Sequence, residues 1–206
     1  MALQIYFRAM TAGLRERNKL RRHEQITEAA LRLFAERGFD GATIDEIAAA
    51  ADVSRRTFFR YFARKEDVIL AWKRRTADEL REALAARPAG EAPLDAVHGA
   101  LAAVAAGYNA EPELTHGLMR LFESGPDLRP GSDYQAWDAV LTEGVARRLG
   151  VDPLRDPAPR LVATVGFAVL TATVQSWGAA GGKADLIDLL DEGFASLRRV
   201  TAGAEA

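Results

Sequence analysis

The stretch ITEAALRLFAERGFDGATIDEIAAAADVSRRTFFRYFARKEDVI, from Ile26 to Ile69, decides the fold. Its apolar residues return every three or four positions, and no part of it alternates in the manner of a half-buried strand. Ile26, Ala29, Ala30, Leu33 and Phe34 form one stripe, and Gly38 follows Arg37 where a left-handed cap belongs, closing a first helix that starts near Arg21. Thr43 and Glu46 have the spacing of a capping box, so a second helix runs from Thr43 to about Ala50. Asp52, Val53 and Ser54 supply a turn, and Ser54 caps a short third helix that ends at Tyr61 or Phe62. Lys65, Glu66 and Asp67 open a long fourth helix through Val68, Ile69, Trp72, Leu80 and Leu84, stopping before Pro88.

Working outward, the same period predicts helices at 92–109, 111–123, 132–149, 156–178 and 184–200, separated by Pro- and Gly-bearing breaks. The chain reads as all-α. Residues 1–14 read as a leader, with Met10 as an alternative start, residues 15–65 as a first domain and 66–206 as a second. Across all 206 residues the net charge is only −2, but the total hides an asymmetry. Residues 1–75 carry 16 Lys or Arg against 10 Asp or Glu, net +6, and residues 76–206 carry 11 against 19, net −8. A basic third joined to an acidic remainder suits contact with a polyanion at one end only.

Two short helices joined by a tight turn, the second rich in Arg and aromatic residues, are what a helix-turn-helix DNA reader requires. Projected at about 100° per residue, Phe58 and Phe62 of the third helix share one edge. Arg56, Thr57, Phe59, Arg60 and Tyr61 cover the broad opposite face. Arg55 and Arg56 sit in its first turn, where an arginine can pair with guanine through two hydrogen bonds, and Arg60 joins them as a base contact. Phe59 offers ring packing or a thymine-methyl contact. Thr43, Ser54, Thr57, Tyr61 and Lys65 are the expected phosphate contacts, which set register more than sequence.

The run from Ile26 to Ile69 resembles the DNA-binding domain of the TetR family of ligand-responsive transcriptional regulators. The resemblance rests on Leu33-Phe34, Gly38-Phe39, Thr43, Ile47-Ala48, Val53-Ser54, Thr57, Tyr61-Phe62 and Lys65-Glu66. It implies a homodimeric, cytoplasmic repressor on a near-palindromic operator, one reader helix per subunit, released when a small effector enters the second domain. Two residues depart from the family pattern: Phe59 replaces the usual tyrosine, and Arg64 stands where a small or polar residue is usual. The segments GLRERNKLRRHEQI and RRTFFRYF are similar to actinobacterial members with acyl-CoA-like effectors.

The second domain is read mostly from physics. An apolar or amphipathic effector is expected among Trp72, Tyr108, His116, Met119, Phe122, Trp137, Phe167 and Gln175, with His116 placed to meet a carboxylate, phosphate or amide. The last two helices carry large apolar surfaces, which suit a four-helix interface between two copies. Its expected residues are Leu161, Val165, Ala168, Val169, Ala172, Leu186, Leu190, Phe194 and Leu197. The chain has no cysteine, no paired i, i+4 histidines and no Gly-x-Ser-x-Gly elbow. Neither a metal site, a cofactor nor a catalytic set is therefore expected. The apolar run Leu161–Val174 is shorter than the roughly 20 residues a membrane helix needs, so no membrane partner is expected either. The competing readings are a small-molecule carrier or enzyme with a basic docking module, for which no nucleophile and base are present, and an architectural DNA binder. The acidic remainder opposes the latter, because it would repel a wrapped duplex.

Overall fold

The computed structural model describes residues 2–124 and 134–201, with side-chain surroundings for 17–119 and 136–201. Among the described residues the regular elements are helices: α1 (Ala2–Arg37), α2 (Ile44–Ala50), α3 (Arg55–Tyr61), α4 (Glu66–Ala85), α5 (Pro93–Asn109), α6 (Pro112–Ser124), α7 (Tyr134–Leu149), α8 (Ala158–Ala179) and α9 (Leu186–Thr201). From α5 onward the expected spans hold to within two residues at each end. The segment read as a leader is part of α1, and no proline interrupts it. Two compact units divide between Trp72 and Lys73, inside α4, whereas the sequence pattern places the boundary at Lys65. Val68 and Ile69, buried on the first turns of α4, fall within the first unit, so a helix start is not a domain boundary here.

In the first unit, Ile26, Ala30, Leu33 and Phe34 of α1 are buried together with Ile47 and Ala48 of α2 and Phe58 of α3. Gly38 has φ +76° and donates its N–H to the Phe34 carbonyl at 2.9 Å, the left-handed cap expected after Arg37. The α2–α3 turn is closed by Val53 N–H donating to the Ala48 carbonyl at 2.9 Å and Asp52 N–H to the Ala49 carbonyl at 3.1 Å. Asp52 sits at φ +50°, the one described non-glycine residue in the left-handed region.

The second unit has a continuous core. It joins Leu80 and Leu84 of α4, Val97 and Leu101 of α5, Leu141 and Val145 of α7, Phe167 and Leu170 of α8, and Leu186, Leu190 and Phe194 of α9. The alanines of α5 serve close packing: Ala96 and Ala100 are fully buried. Gly166 of α8 lies so near α5 that a Cβ there would be 2.4 Å from Val97 Cγ1. Arg148 of α7 closes the C-terminal end of α4, donating to the carbonyls of Leu84 (2.9 Å), Arg87 (2.8 Å) and Pro88 (2.7 Å). The Leu84 and Pro88 carbonyls also accept the N–H groups of Arg87 (3.3 Å) and Glu91 (3.2 Å), and the negative end of the helix dipole favours a guanidinium here. Among the described residues α8 alone is long and apolar enough to cross a membrane. It is a packed helix here, with Ala163, Gly166, Phe167, Leu170, Thr173 and Trp177 buried.

Candidate nucleic-acid interface

Helix α3 is held from below and from its first turn. Ser54 Oγ accepts the Thr57 backbone N–H at 3.0 Å and shares a 2.9 Å hydrogen bond with Thr57 Oγ1. Phe58 is fully buried and Phe62 nearly so, their rings 5.7 Å apart, which fixes the rotation of α3 about its axis. That rotation leaves Arg55, Arg56, Phe59 and Arg60 exposed along one face, with Thr57 and Tyr61 half-buried at its margins. Phe59 is 45% exposed, a large apolar ring in water on a basic surface. The Arg60 guanidinium stands 5.3 Å from the Tyr61 ring centroid.

Several side chains expected on DNA also brace the head. Arg55 Nη1 donates to both carboxylate oxygens of Asp45 at 3.0 and 2.8 Å, and its guanidinium lies 5.6 Å from the Phe59 ring centroid. It ties α2 to α3 across the turn, a pairing ten residues apart that no local helical period announces. Thr43 caps α2: its hydroxyl donates to Glu46 Oε2 at 2.7 Å, its N–H donates to the same oxygen at 3.0 Å, and its Oγ1 accepts Glu46 N–H at 3.3 Å. The Thr43 N–H, then the Thr43 hydroxyl, with Arg37 adding its charge, hold the Glu46 carboxyl below the usual carboxylate range. Both donors of Thr43 are thus engaged inside the cap. Lys65 is likewise bonded within the head. Its ammonium donates to the carbonyls of Phe39 (2.7 Å) and Ala42 (3.4 Å) and sits 4.3 Å from the Phe39 ring centroid, tying the start of α4 to the α1–α2 turn. Ser54 is committed to capping α3. Arg64 is exposed and pairs with Asp67 at 3.7 Å.

The expected effector residues separate in the structure. Tyr108 of α5, Met119 of α6 and Trp137 of α7 are partly buried against the core of the second unit, and Phe167 of α8 lies within it. Thr115 Oγ1 donates to the Tyr108 carbonyl at 2.9 Å, His116 meets the Trp177 ring edge-on at 5.9 Å, and Trp137 meets Phe167 edge-on at 6.1 Å. Burial, with Glu79 adding to it and Arg75 opposing, raises the Tyr108 phenol above its ordinary range, so it remains a neutral hydrogen-bond donor. Trp72 is buried and belongs to the first unit. The side chain of Phe122 lies outside the described residues. Gln175 is exposed on the outer face of α8.

That outer face carries some of the residues expected between two copies. Leu161 (61% exposed), Ala168 and Ala172 are exposed and Val165 and Val169 half-buried, and no charged residue occurs between Arg160 and Lys183. Leu186, Leu190 and Phe194 do not share that face. At 1%, 0% and 0% exposure they fill the unit's own core, where α9 packs on α5 and α8, while Leu197 is half-buried. The sequence shows that α9 has an apolar stripe but not which neighbour covers it.

Comparison with known proteins follows the same division of the chain. The family model described as bacterial regulatory proteins, tetR family, matches residues 26–72, and the one described as MftR C-terminal domain matches residues 91–202. The chain is 35% identical over 175 residues to the HTH-type transcriptional regulator TcmR of Streptomyces glaucescens, covering 80% of this chain and 76% of TcmR. It is 28% identical over 188 residues to the HTH-type transcriptional repressor AcnR of Corynebacterium diphtheriae, covering 85% and 92%. Among solved structures, the Thermus thermophilus FadR complex with lauroyl-CoA, a TetR family repressor, aligns with TM-score 0.54 at 27% identity, covering 89% of this chain and 97% of that one.

Proposed function

Because the chain belongs to the TetR family of bacterial transcriptional regulators, with an MftR-type C-terminal domain, we propose that it is a homodimeric cytoplasmic repressor released from a near-palindromic operator by an acyl-CoA-like effector. The single observation that carries the DNA reading is the exposed row Arg56, Phe59 and Arg60 on a helix whose rotation is fixed by buried Phe58 and capped by Ser54. Arg56 and Arg60 read bases in the major groove, Phe59 rests on a thymine methyl, and Thr57 and Tyr61, one turn apart on the same edge of α3, take phosphates. Arg55 reads a base after leaving Asp45, or holds α2 against α3 while its neighbours read. Thr43, Ser54 and Lys65 take further phosphates at helix starts that their own capping bonds hold in place.

The uncharged outer face of α8 supports pairing of two copies, through Leu161, Val165, Ala168, Ala172 and Gln175. The lauroyl-CoA held by the Thermus protein supports the effector class. On this reading the effector lies among Tyr108, His116, Met119, Trp137 and Phe167, whose mostly apolar side chains and two polar groups suit an acyl thioester. Release is then a population shift: the effector favours a dimer state whose reader helices no longer match successive major grooves about 34–36 Å apart. The test is an Arg56→Ala variant titrated against the operator and its single-base substitutions. Base preference at one position relaxes by about 1–3 kcal/mol. An equal loss on every duplex refutes the assignment.

A further inference from the structure

The inward stripe of α1 changes character along its length. Ile26, Ala30 and Phe34 are buried, but one turn earlier the same face carries Arg22 and His23, and a further turn back Lys19. The point of change is marked in space. The His23 ring lies 4.5 Å from that of Phe62 and 6.4 Å from that of Tyr61, so this turn of α1 passes the C-terminal end of the reader helix. Lys19 is exposed and Arg22 and His23 are half-buried. The helix they adjoin, RRTFFRY, contains no acid and ends with Arg60 against Tyr61. A polyanion laid along the exposed face of that helix therefore also meets the basic turns of α1 that pass its end.

We propose that Lys19, Arg22 and His23 continue the DNA contact beyond the reader helix, holding backbone phosphates next to the one reached by Tyr61. The proposal rests on the DNA-binding reading above and assigns a second element, α1, to the interface. Lys19 and Arg22 contribute fixed charge. His23 contributes a charge that depends on the proton, and the groups around it are Lys19 and Glu24 on α1 and Tyr61 and Arg60 on α3. Burial first, with Lys19 adding to it and Glu24 opposing, holds the free imidazole below its ordinary range. A phosphate alongside favours the imidazolium, so DNA binding takes up a proton and affinity rises as the solution is acidified.

The experiment is fluorescence anisotropy of the full-length protein on its own upstream duplex and on a scrambled duplex, across a salt series. Three proteins are compared: the wild type, the Lys19→Gln/Arg22→Gln double variant, and Arg155→Gln as an exposed charge control in the second unit. The expected result is that the double variant lowers the slope of log affinity against log salt by about 0.9 for each phosphate it no longer neutralises, while preference for the upstream duplex persists. Arg155→Gln leaves the slope in place. An unchanged slope in the double variant overturns the proposal even where the wild type prefers its own DNA. Absence of preference in the wild type overturns the operator reading instead, and the slope on scrambled DNA still decides the α1 row. For His23, wild-type affinity rises from about pH 8 to about pH 6 and His23→Gln flattens the rise. A thermal melt checks that this variant is folded, and an undiminished pH dependence in a folded His23→Gln removes His23 from the row.

Discussion

Replacing Gly166 by alanine tests the packing of the second unit where α8 crosses α5. In an exposed helix interior, Gly→Ala stabilises by about 0.8–1.0 kcal/mol. Here the new methyl meets Val97 Cγ1 at 2.4 Å, Val97 Cβ at 3.7 Å and Leu101 Cδ1 at 3.8 Å. Only the first distance is a clash, and its owner cannot swing aside cheaply, since a β-branched side chain on a helix is confined to essentially one rotamer. Overpacking of this kind costs about 1–3 kcal/mol, so the intrinsic gain is offset and Gly166→Ala comes out neutral to about 2 kcal/mol destabilised. With Val97 truncated to alanine the clashing carbon is gone and the next contact is ordinary. In that background Gly166→Ala therefore stabilises by about 1 kcal/mol, reversing the sign. Urea unfolding followed by the fluorescence of Trp137 and Trp177 and by helical circular dichroism measures the four corners of this cycle. Stabilisation by Gly166→Ala in the wild-type background, or a zero coupling energy, would refute the close approach of α5 and α8.

Three further outcomes follow from the same geometry. Phe58→Ala empties a fully buried site beneath the reader helix and lowers the stability of the head by about 3–5 kcal/mol, with DNA affinity falling on every duplex; retained stability in denaturant would show that α3 is not anchored there. Arg148→Met removes three hydrogen bonds to the end of α4 and lowers stability by about 1–3 kcal/mol, visible as an earlier thermal transition of the second unit, and an unmoved transition contradicts the clamp. Glu46 has a carboxyl pKa below its unfolded value, so its contribution is complete above the ordinary carboxylate range and is lost as pH falls through the lowered folded value. Glu46→Gln shallows the acid limb of the stability profile, and an unaltered limb assigns that limb to other groups.

The head is legible in the sequence because its determinants are local. A threonine three residues before a glutamate, a glycine after Arg37 and a serine ahead of RRTFFRY each fix a helix end without reference to anything distant. The inward rotation of Phe58 and Phe62 follows from helical period alone. Where partners are distant in sequence, residue types are legible but destinations are not. Lys65 opens a helix in a basic segment and so reads as a phosphate contact, but nothing local announces that its ammonium also reaches the Phe39 and Ala42 carbonyls 26 and 23 residues earlier. The apolar stripe of α9 reads as a surface for a partner copy, although Leu190 and Phe194 have no exposed surface left. An apolar face demands cover and does not name it. Gln175 differs for the opposite reason: a polar residue in an apolar run suggests a pocket, whereas its helical position puts it on the outer face with Ala168 and Ala172.

The central claim is that the face carrying Arg56, Phe59 and Arg60 reads a particular DNA sequence and lets go when an acyl thioester binds. Anisotropy titration of the intact protein against its own upstream duplex and a scrambled duplex at moderate salt, repeated with lauroyl-CoA as probe, measures both halves together. The account predicts specific affinity tighter than nonspecific by at least about 10³-fold, and its loss on addition of the thioester. Equal affinity for the two duplexes would contradict the reading of α3 as a sequence reader, and specific binding indifferent to the thioester would contradict the effector class.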